Sequence, residues 1–464
     1  MKLKPYSEYD KVNASWIEKV PRHWEKRKLR SILQVVSERN RADLPLLSVV
    51  REKGVIKRDL SSKEENHNYI PDDLSNYKVV KVDQFAMNKM KAWQGSYGVS
   101  KYNGIVSPAY FVFNLNSVSG IFFHKALRSK AYIPFFTKAS DGVRVGQWDL
   151  NKDRMEEIPF FIPPLEEQTQ IARFLDYKTW QINRFIKAKK KMIELLKEQK
   201  QVIINDAVSG KIDVTTGKPY PKYKDSGVEW LGDVPVGWAL KRFKYLTRIE
   251  SGQVDPRVNP YSEMILIAPN HIQSGTAQIL YTESAHDQNA ISGKYLVSKG
   301  QIIYSKIRPK LQKACIAEFE CLCSADMYPI AVNNELIPHF LLFLILSNPF
   351  TRYVVDLSLR VKMPKVNRDE LGNFIISYPD RIIQKRICDY IQIQTKSIDQ
   401  TIKKILEEIS LILEYRDRLI ADVVTGQVDV RKIKVPDVPA DEDVVIDDIT
   451  ADEEMDEVTE EADI

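Results

Sequence analysis

The chain contains itself twice, and this constrains its fold more than any other feature. Trp16, Val20, Pro21 and Trp24 recur with the same spacing as Trp230, Val234, Pro235 and Trp238, an offset of 214. Lys and Arg follow in both copies. Further on the offset becomes 216, where Gln168, Ile171, Thr179, Ile182, Ile186, Leu195 and Glu198 meet Gln384, Ile387, Thr395, Ile398, Ile402, Leu411 and Glu414. The copies also close alike: Ser209-Gly210-Lys211-Ile212-Asp213-Val214 faces Thr425-Gly426-Gln427-Val428-Asp429-Val430. A tandem duplication of this kind predicts two like units related by a pseudo-two-fold.

The matching stretches that follow Pro163-Pro164 and Pro379-Asp380 read as helices of about 38 residues each. Proline suits a helix start, and Glu166 and Glu167 in the first turn suit its dipole. Apolar residues then fall at steps of three and four. Ile171, Leu175, Ile182, Phe185, Met192, Leu196 and Ile203 make one seam; Ile387, Ile391, Ile398, Ile405, Ile412 and Leu419 make the other. Neither helix buries its own seam, so the economical arrangement is a coiled coil of the two, the alternative being two helices lying separately on globular cores.

Between the entries and the helices, about residues 28 to 158 and 242 to 374, short β-branched and aromatic runs alternate with Gly, Pro and Asn. Tyr110-Phe111-Val112-Phe113 and Gln301-Ile302-Ile303-Tyr304 are examples. Mixed α/β (α+β) domains with mixed or antiparallel sheets are expected. Here the copies diverge, yet Asn88-Lys89-Met90-Lys91 still matches Ser305-Lys306-Ile307-Arg308 at an offset of 217, and Ser107 matches Ser324. One scaffold with two different surfaces is implied. The expected domains are therefore 1–160 and 216–376 as globular units, 161–215 and 377–436 as helices, and 437–464 as a disordered acidic tail.

Charge points to the partner. The 14 Asp and Glu from Asp437 onward have no Lys or Arg among them, so the 68 basic residues face only 49 acids before that point, a charge of +19 on residues 1–436. Such a body predicts a polyanionic partner, with nucleic acid foremost. No apolar run approaches the roughly 18 residues of a membrane helix, the longest being Phe340–Leu346, a buried helix or strand. The start of the chain has no apolar signal core, and a cytoplasmic location is expected. Cys315, Cys321, Cys323 and Cys388 are too few for a disulfide framework and lack zinc-ribbon spacing, so structural burial is expected and no metal site is assigned.

Catalytic signatures are missing: no phosphate-cradling Gly-Lys-Ser/Thr loop, no Gly-x-Gly-x-x-Gly and no Gly-x-Ser-x-Gly elbow. Asn348-Pro349-Phe350 lacks the second proline of the Asn-Pro-Pro-aromatic motif of amino-methylating enzymes and reads as a helix-end turn. Glu198-Gln199-Lys200 reads as a solvated helix face. No catalytic residue is assigned. Basic and aromatic interleaving is more informative, because ammonium groups suit phosphates and a carboxamide can pair bidentately with adenine. The candidate DNA-binding residues are Lys89, Lys91, Trp93, Gln94, Lys101 and Arg144 in the first copy, and Lys306, Arg308, Lys310, Arg360 and Lys362 in the second. Lys299 and Lys313 flank the second cluster, and Arg360 matches Arg144 at an offset of 216.

Two divergent domains, each followed by a helix opening Pro-Leu-Glu-Glu-Gln and closing Ser-Gly-Lys-Ile-Asp, resemble the specificity subunit of Type I restriction-modification systems. The resemblance rests on Pro163-Pro164-Leu165-Glu166-Glu167-Gln168-Thr169-Gln170-Ile171, on the Trp16–Trp24 and Trp230–Trp238 stretches, and on the helix-end motif. It covers the chain to about Val435. It implies two target recognition domains, each reading half of a split double-stranded DNA site, and helices that act as spacers and pack as an antiparallel coiled coil. Those helices would help dock two methyltransferase subunits, through which restriction-translocase subunits join. Gln168, Ile171, Ile182, Gln384, Ile387 and Ile398 are the docking candidates. No cofactor is expected on this chain; the partners would use S-adenosylmethionine, ATP and Mg. The second helix departs from the pattern, keeping Pro379 and Gln384 but losing both Glu, and the acidic tail is an addition to it. A coiled-coil interaction scaffold or a stand-alone DNA-binding regulator are the alternatives that the residues leave open.

Overall fold

The computed structural model describes residues 3–14, 16–51, 53–58, 71, 73–142, 148–358 and 365–438. Two compact units are present, residues 1–189 with 407–453, and residues 190–406 with 454–464. Each therefore holds one globular domain together with parts of both long helices.

In the first unit a four-stranded antiparallel sheet runs in the order Leu33–Val36, Tyr110–Leu115, Phe85–Asn88, Tyr97–Val99. In the second the order is Thr247–Ile249, Met327–Val332, Ile302–Ser305, Ala314–Ile316. The last three strands are displaced by 217 residues in each case, and the cross-strand register is preserved: Phe113 faces Phe85 as Ile330 faces Ile302. A second layer repeats as well. Lys78–Val80 pairs antiparallel with Gly104–Val106, as Lys294–Val297 pairs with Cys321–Cys323. Leu46 bridges Ile105 in parallel, and Leu266 lies parallel to Leu322. The domains thus share one topology behind dissimilar sequences.

The helices Gly120–Leu127 and Pro338–Ile345 cover the sheets because their inward residues are apolar, among them Phe122, Phe123, Phe340 and Leu341. The Phe340–Leu346 run is thus mostly a buried helix. Among the described residues no single helix is long and apolar enough to cross a membrane. All four cysteines are buried. Burial pushes the thiols of Cys315, Cys321 and Cys388 up to about 12.

The long helices are Leu165–Val208 and Arg381–Val424, each 44 residues. They are longer than the periodicity suggested because both run on until a glycine takes a left-handed conformation, Gly210 (φ 73°) and Gly426 (φ 74°). The first opens with Glu166 and Glu167 in its first turn. The second, lacking them, starts on Asp380, whose Oδ1 accepts hydrogen bonds from the N–H groups of Ile382 and Ile383.

Within each unit the two helices run side by side and antiparallel. In the first, Gln170 Nε2 donates to the carbonyls of Val430 and Ile433, and Lys189 pairs with Glu408 at 2.8 Å. In the second, Lys200 pairs with Asp399 while Ile204, Ala207 and Val208 share a core with Ile387 and Ile391. The seam follows the pattern read in the sequence through most of the second helix and the start of the first, and departs from it clearly at two positions. Phe185 and Met192 are 39% and 44% exposed. Of the predicted positions, Ile171, Leu175 and Ile182 in the first helix and Ile387, Ile391, Ile398, Ile405 and Leu419 in the second are buried, and Ile193, Ile204 and Ile409 continue the seam at steps of 11 from Ile182 and Ile398. At 3.6 residues per turn a step of 11 overshoots three turns by about 20° and a step of 7 falls short of two by about 20°, so the two spacings together keep one face buried.

A β-hairpin opens each copy: Tyr9–Ala14 with Ile17–Pro21, and Tyr223–Asp225 with Asp233–Pro235. Each is held by the end of a long helix. Tyr9 donates its hydroxyl to the Gln427 carbonyl, and Tyr223 to those of Gly210 and Lys211. The bridge between Lys4 and Asp429 in the first unit has its counterpart in the local turn bridging Asp213 and Lys218 in the second. Asp437 pairs with Arg173 at 2.8 Å; residues 439–464, which hold nearly all of the expected acidic tail, lie outside the described residues.

Candidate nucleic-acid interface

The two basic clusters picked out in the sequence fall on one and the same loop of the repeated scaffold. Residues 89–96 join strand Phe85–Asn88 to Tyr97–Val99, and residues 306–313 join Ile302–Ser305 to Ala314–Ile316. Each loop carries a short 3-10 turn, Ala92–Gln94 or Pro309–Leu311, followed by a left-handed residue, Gly95 (φ 96°) or Gln312 (φ 50°). The closing hydrogen bonds also correspond. The Asn88 amide donates to Ser96 and the Ser305 amide to Lys313; Gln94 donates to Lys91 as Leu311 does to Arg308. From behind, the Leu150 amide donates to the Lys89 carbonyl, and the Val366 amide to that of Lys306.

On this common backbone the side chains differ. Lys89 pairs with Asp149 at 3.0 Å, while Lys91 is exposed. Trp93 stacks obliquely on Trp148, ring centres 5.2 Å apart, and its Nε1 is buried with no hydrogen-bond partner. Gln94 is half-buried and its backbone, not its amide, makes the turn. In the second loop Arg308 and Lys310 are exposed, and Arg308 itself is left-handed (φ 47°). A non-glycine residue held there stores about 1 to 2 kcal/mol of backbone strain.

Lys306 requires a correction. It is only 9% exposed, its ammonium donates to the Ala325 carbonyl, and it lies 5.3 Å from the centre of the Tyr328 ring. Burial pulls its pKa below the usual lysine value. It therefore braces the loop from beneath and does not reach out. Arg368, missed in the sequence, sits 5.4 Å from the centre of the same ring and donates to the carbonyls of Ile249 and Glu250. Tyr328 in turn donates to the Val366 carbonyl. Its only signal was position, two residues after Val366 on the segment that backs the loop.

Lys101 is exposed but lies in the turn after Tyr97–Val99, at the end of that strand opposite the loop. Arg144, Arg360 and Lys362 lie outside the described residues; Trp148, Leu150, Lys365 and Val366, just after them, adjoin the loops. Among the described residues no group of three or more His, Cys, Asp and Glu could hold a metal ion.

The six helix residues expected to dock partners also need correction, because all are buried within the chain. Ile171, Ile182, Ile387 and Ile398 belong to the seam. Gln168 and Gln384, 2% and 0% exposed, are brackets. Gln168 donates to the Pro163 carbonyl and accepts from the Ser119 amide. Gln384 donates to the carbonyls of Pro379 and Glu335 and accepts from the Ile337 amide. Each ties the start of a long helix to the start of the short helix covering the sheet. The helices instead expose Phe185, Leu411 and Tyr415 in the first unit, and Met192, Leu195, Val202 and Ile393 in the second.

Comparison with known proteins agrees with this duplicated arrangement. The family described as Type I restriction modification DNA specificity domain matches twice, over residues 21–195 and 235–411. The chain is 30% identical over 301 residues to the Type I restriction enzyme EcoDI specificity subunit of Escherichia coli, covering 62% of this chain and 66% of that one. It is 22% identical over 296 residues to the MjaVIII specificity subunit of Methanocaldococcus jannaschii, covering 61% and 65%. These matches span just under two thirds of the relatives' own length. A chain from a solved type I R-M system, described for its complex assembly and conformational transition, superimposes with a TM-score of 0.61 at 13% identity, over 88% of this chain and 99% of that one. With both copies matched by the family across most of their length, the chain belongs to the Type I restriction-modification DNA specificity family.

Proposed function

We propose that this chain is the DNA-reading specificity subunit of a Type I restriction-modification complex. The carrying observation is the pair of loops at 89–96 and 306–313, alike in backbone and unlike in side chains. One scaffold placed twice with different contact groups reads two different half-sites, so the target is split and not palindromic. The basic body supplies affinity for the phosphate backbone. Adenine methylation or cleavage is carried out by partner subunits, two methyltransferases and the restriction-translocases that join through them. Those partners bring S-adenosylmethionine, ATP and Mg, and this chain performs no chemical step. The exposed apolar residues of the long helices, such as Leu195, Val202, Ile393 and Leu411, are the surface offered to the methyltransferases.

Co-expression with a methyltransferase subunit and genome-wide mapping of methylated adenines tests the reading. Two short, different half-sites separated by a fixed unread gap are expected. A single continuous palindrome, or no motif, overturns it.

A further inference from the structure

We propose that the two loops divide the work of binding: the first discriminates bases, and the second chiefly holds the phosphate backbone. The inference rests on the functional reading above, in which each domain reads its own half-site, and goes beyond it by giving these two loops unequal shares of base and phosphate contact. Because the backbones correspond residue by residue at an offset of 217, the chemistry can be compared place by place. Where the first loop has Lys91 and Trp93, the second has Arg308 and Lys310, both exposed. Where the first has Gln94, with a carboxamide suited to adenine, the second has Leu311, whose apolar side chain suits at most a thymine methyl. Behind the first loop, the Asp149 carboxylate neutralises Lys89. At the matching place behind the second stands Lys365, whose charge depresses the Lys306 pKa further. Lys91 is thus the first loop's exposed, unneutralised cation among the described residues, whereas Arg308, Lys310 and Lys365 crowd around the second.

Phosphate contacts and base contacts leave different traces. Each neutralised phosphate contributes about 0.9 to the slope of log affinity against log salt, whereas a base contact alters sequence preference with little effect on that slope. The test uses the full chain co-purified with its methyltransferase, binding duplexes that carry the mapped site. Asn tolerates the left-handed backbone at position 308, so the second-loop variant is R308N/K310A. Its slope is expected to fall by about 1.8, which over a fourfold rise in salt is about a 12-fold smaller loss of affinity. K91A should lower the slope by about 0.9. Q94L should leave the slope unchanged while one position of the first half-site becomes degenerate in the methylation map. The charge-preserving R308K/K310R should keep the wild-type slope, separating lost charge from a damaged loop.

Equal slope changes for K91A and R308N/K310A, or a Q94L methylation motif identical to wild type, would overturn the division of labour. Absence of any split motif with the wild-type chain would overturn the functional reading and this inference with it. A split motif with undivided slopes would overturn this inference alone.

Discussion

Lys200 Nζ stands 2.7 Å from Asp399 Oδ1 where the two long helices run together in the second unit. At an offset of 216, the first unit holds Arg416 in place of Lys200 and Asn183 in place of Asp399. Both are buried, 6% and 1% exposed. Arg416 Nη1 and both polar atoms of Asn183 have no hydrogen-bond partner, and the guanidinium makes only long contacts, 3.2 and 3.3 Å, with Asp417. The half-buried pair of the second unit has a carboxylate where the buried place in the first has a carboxamide.

Restoring that carboxylate should stabilise the first unit. A charge-assisted hydrogen bond to a buried guanidinium is worth about 1.5 to 3 kcal/mol. Asn183→Asp is therefore expected to raise the thermal midpoint, and Asp399→Asn to lower it. Calorimetry on the two variants checks this; a drop with Asn183→Asp shows that Arg416 does not face position 183.

A second asymmetry surrounds Glu167. Its carboxylate, 5% exposed, accepts from the Tyr6 hydroxyl at 2.5 Å and Trp24 Nε1 at 2.9 Å, and pairs with His23 at 2.7 Å. In the second copy the matching residue is Ile383, and the Tyr220 hydroxyl and Trp238 Nε1 are left without partners. Glu167→Ala should cost about 2 to 4 kcal/mol, with two buried donors orphaned, and should loosen the first hairpin. Amide exchange over residues 9–21 reads that loosening. Ile383→Glu should tighten residues 223–235 by the same measure, and unchanged exchange in both variants would remove Glu167 as the anchor.

Acid should destabilise both domains through two desolvated histidines, the half-buried His124 and the buried His271. Burial holds His124 well below its usual 6.5, with Arg128, Lys125 and Lys101 adding to the effect, and burial also lowers His271. A depressed native pKa means that the unfolded chain takes up the proton first. The contribution to stability is complete above 6.5 and is lost as the pH falls below it, by at most about 1.4 kcal/mol per pH unit per site. Thermal midpoints measured from pH 7.5 to pH 5 should fall, and less steeply with His124→Gln. A flat profile in the wild type rules out this cause.

The glycines that end the long helices make the tightest contacts with the opening hairpins. A Cβ on Gly426 would lie 2.3 Å from Pro21 Cδ, and one on Gly210 would lie 2.5 Å from Pro235 Cγ. Both also sit at positive φ. Gly210→Ala and Gly426→Ala should each lose more than about 2 kcal/mol, strain and clash together. Denaturant titration checks this, and tolerance of either alanine would mean that the hairpins shift freely.

These glycines show what was legible in the sequence and what was not. The Gly-Lys-Ile-Asp match and the Trp16–Trp24 match were both visible, but as separate signals. Only the fold shows that they are two sides of one contact. The matching Gln168 and Gln384 were visible too, and suggested docking, because an alignment of two copies marks shared positions without distinguishing a buried bracket from an exposed handle. The loops at 89–96 and 306–313 were found through residue chemistry, yet Lys306 was misassigned. A lysine is ordinarily solvated, and nothing local reveals that Ala325 and Tyr328 will enclose it. The seam was legible over most of its length, and Phe185 and Met192 were misplaced on it because steps of three and four fit 7- and 11-residue repeats almost equally.

Helix geometry also determines how a spacing set by the long helices could be altered. The boundaries between the units fall after Lys189 in the first long helix and after Leu406 in the second. Inserting 11 helical residues at both places turns each helix by about 20° relative to a whole number of turns, so Ile171, Ile182, Ile193 and Ile204 keep their buried face. Four residues at each place would turn it by about 40°, and two by about 160°. The 11-residue variant adds about 16 Å of helix, comparable to about five base pairs of duplex. If the helices set the gap, the methylation map should show both half-sites unchanged and the gap longer by about that number, with the two-residue variant destabilised and inactive. A gap unchanged in a stable 11-residue variant would show that the spacing of the half-sites is set elsewhere.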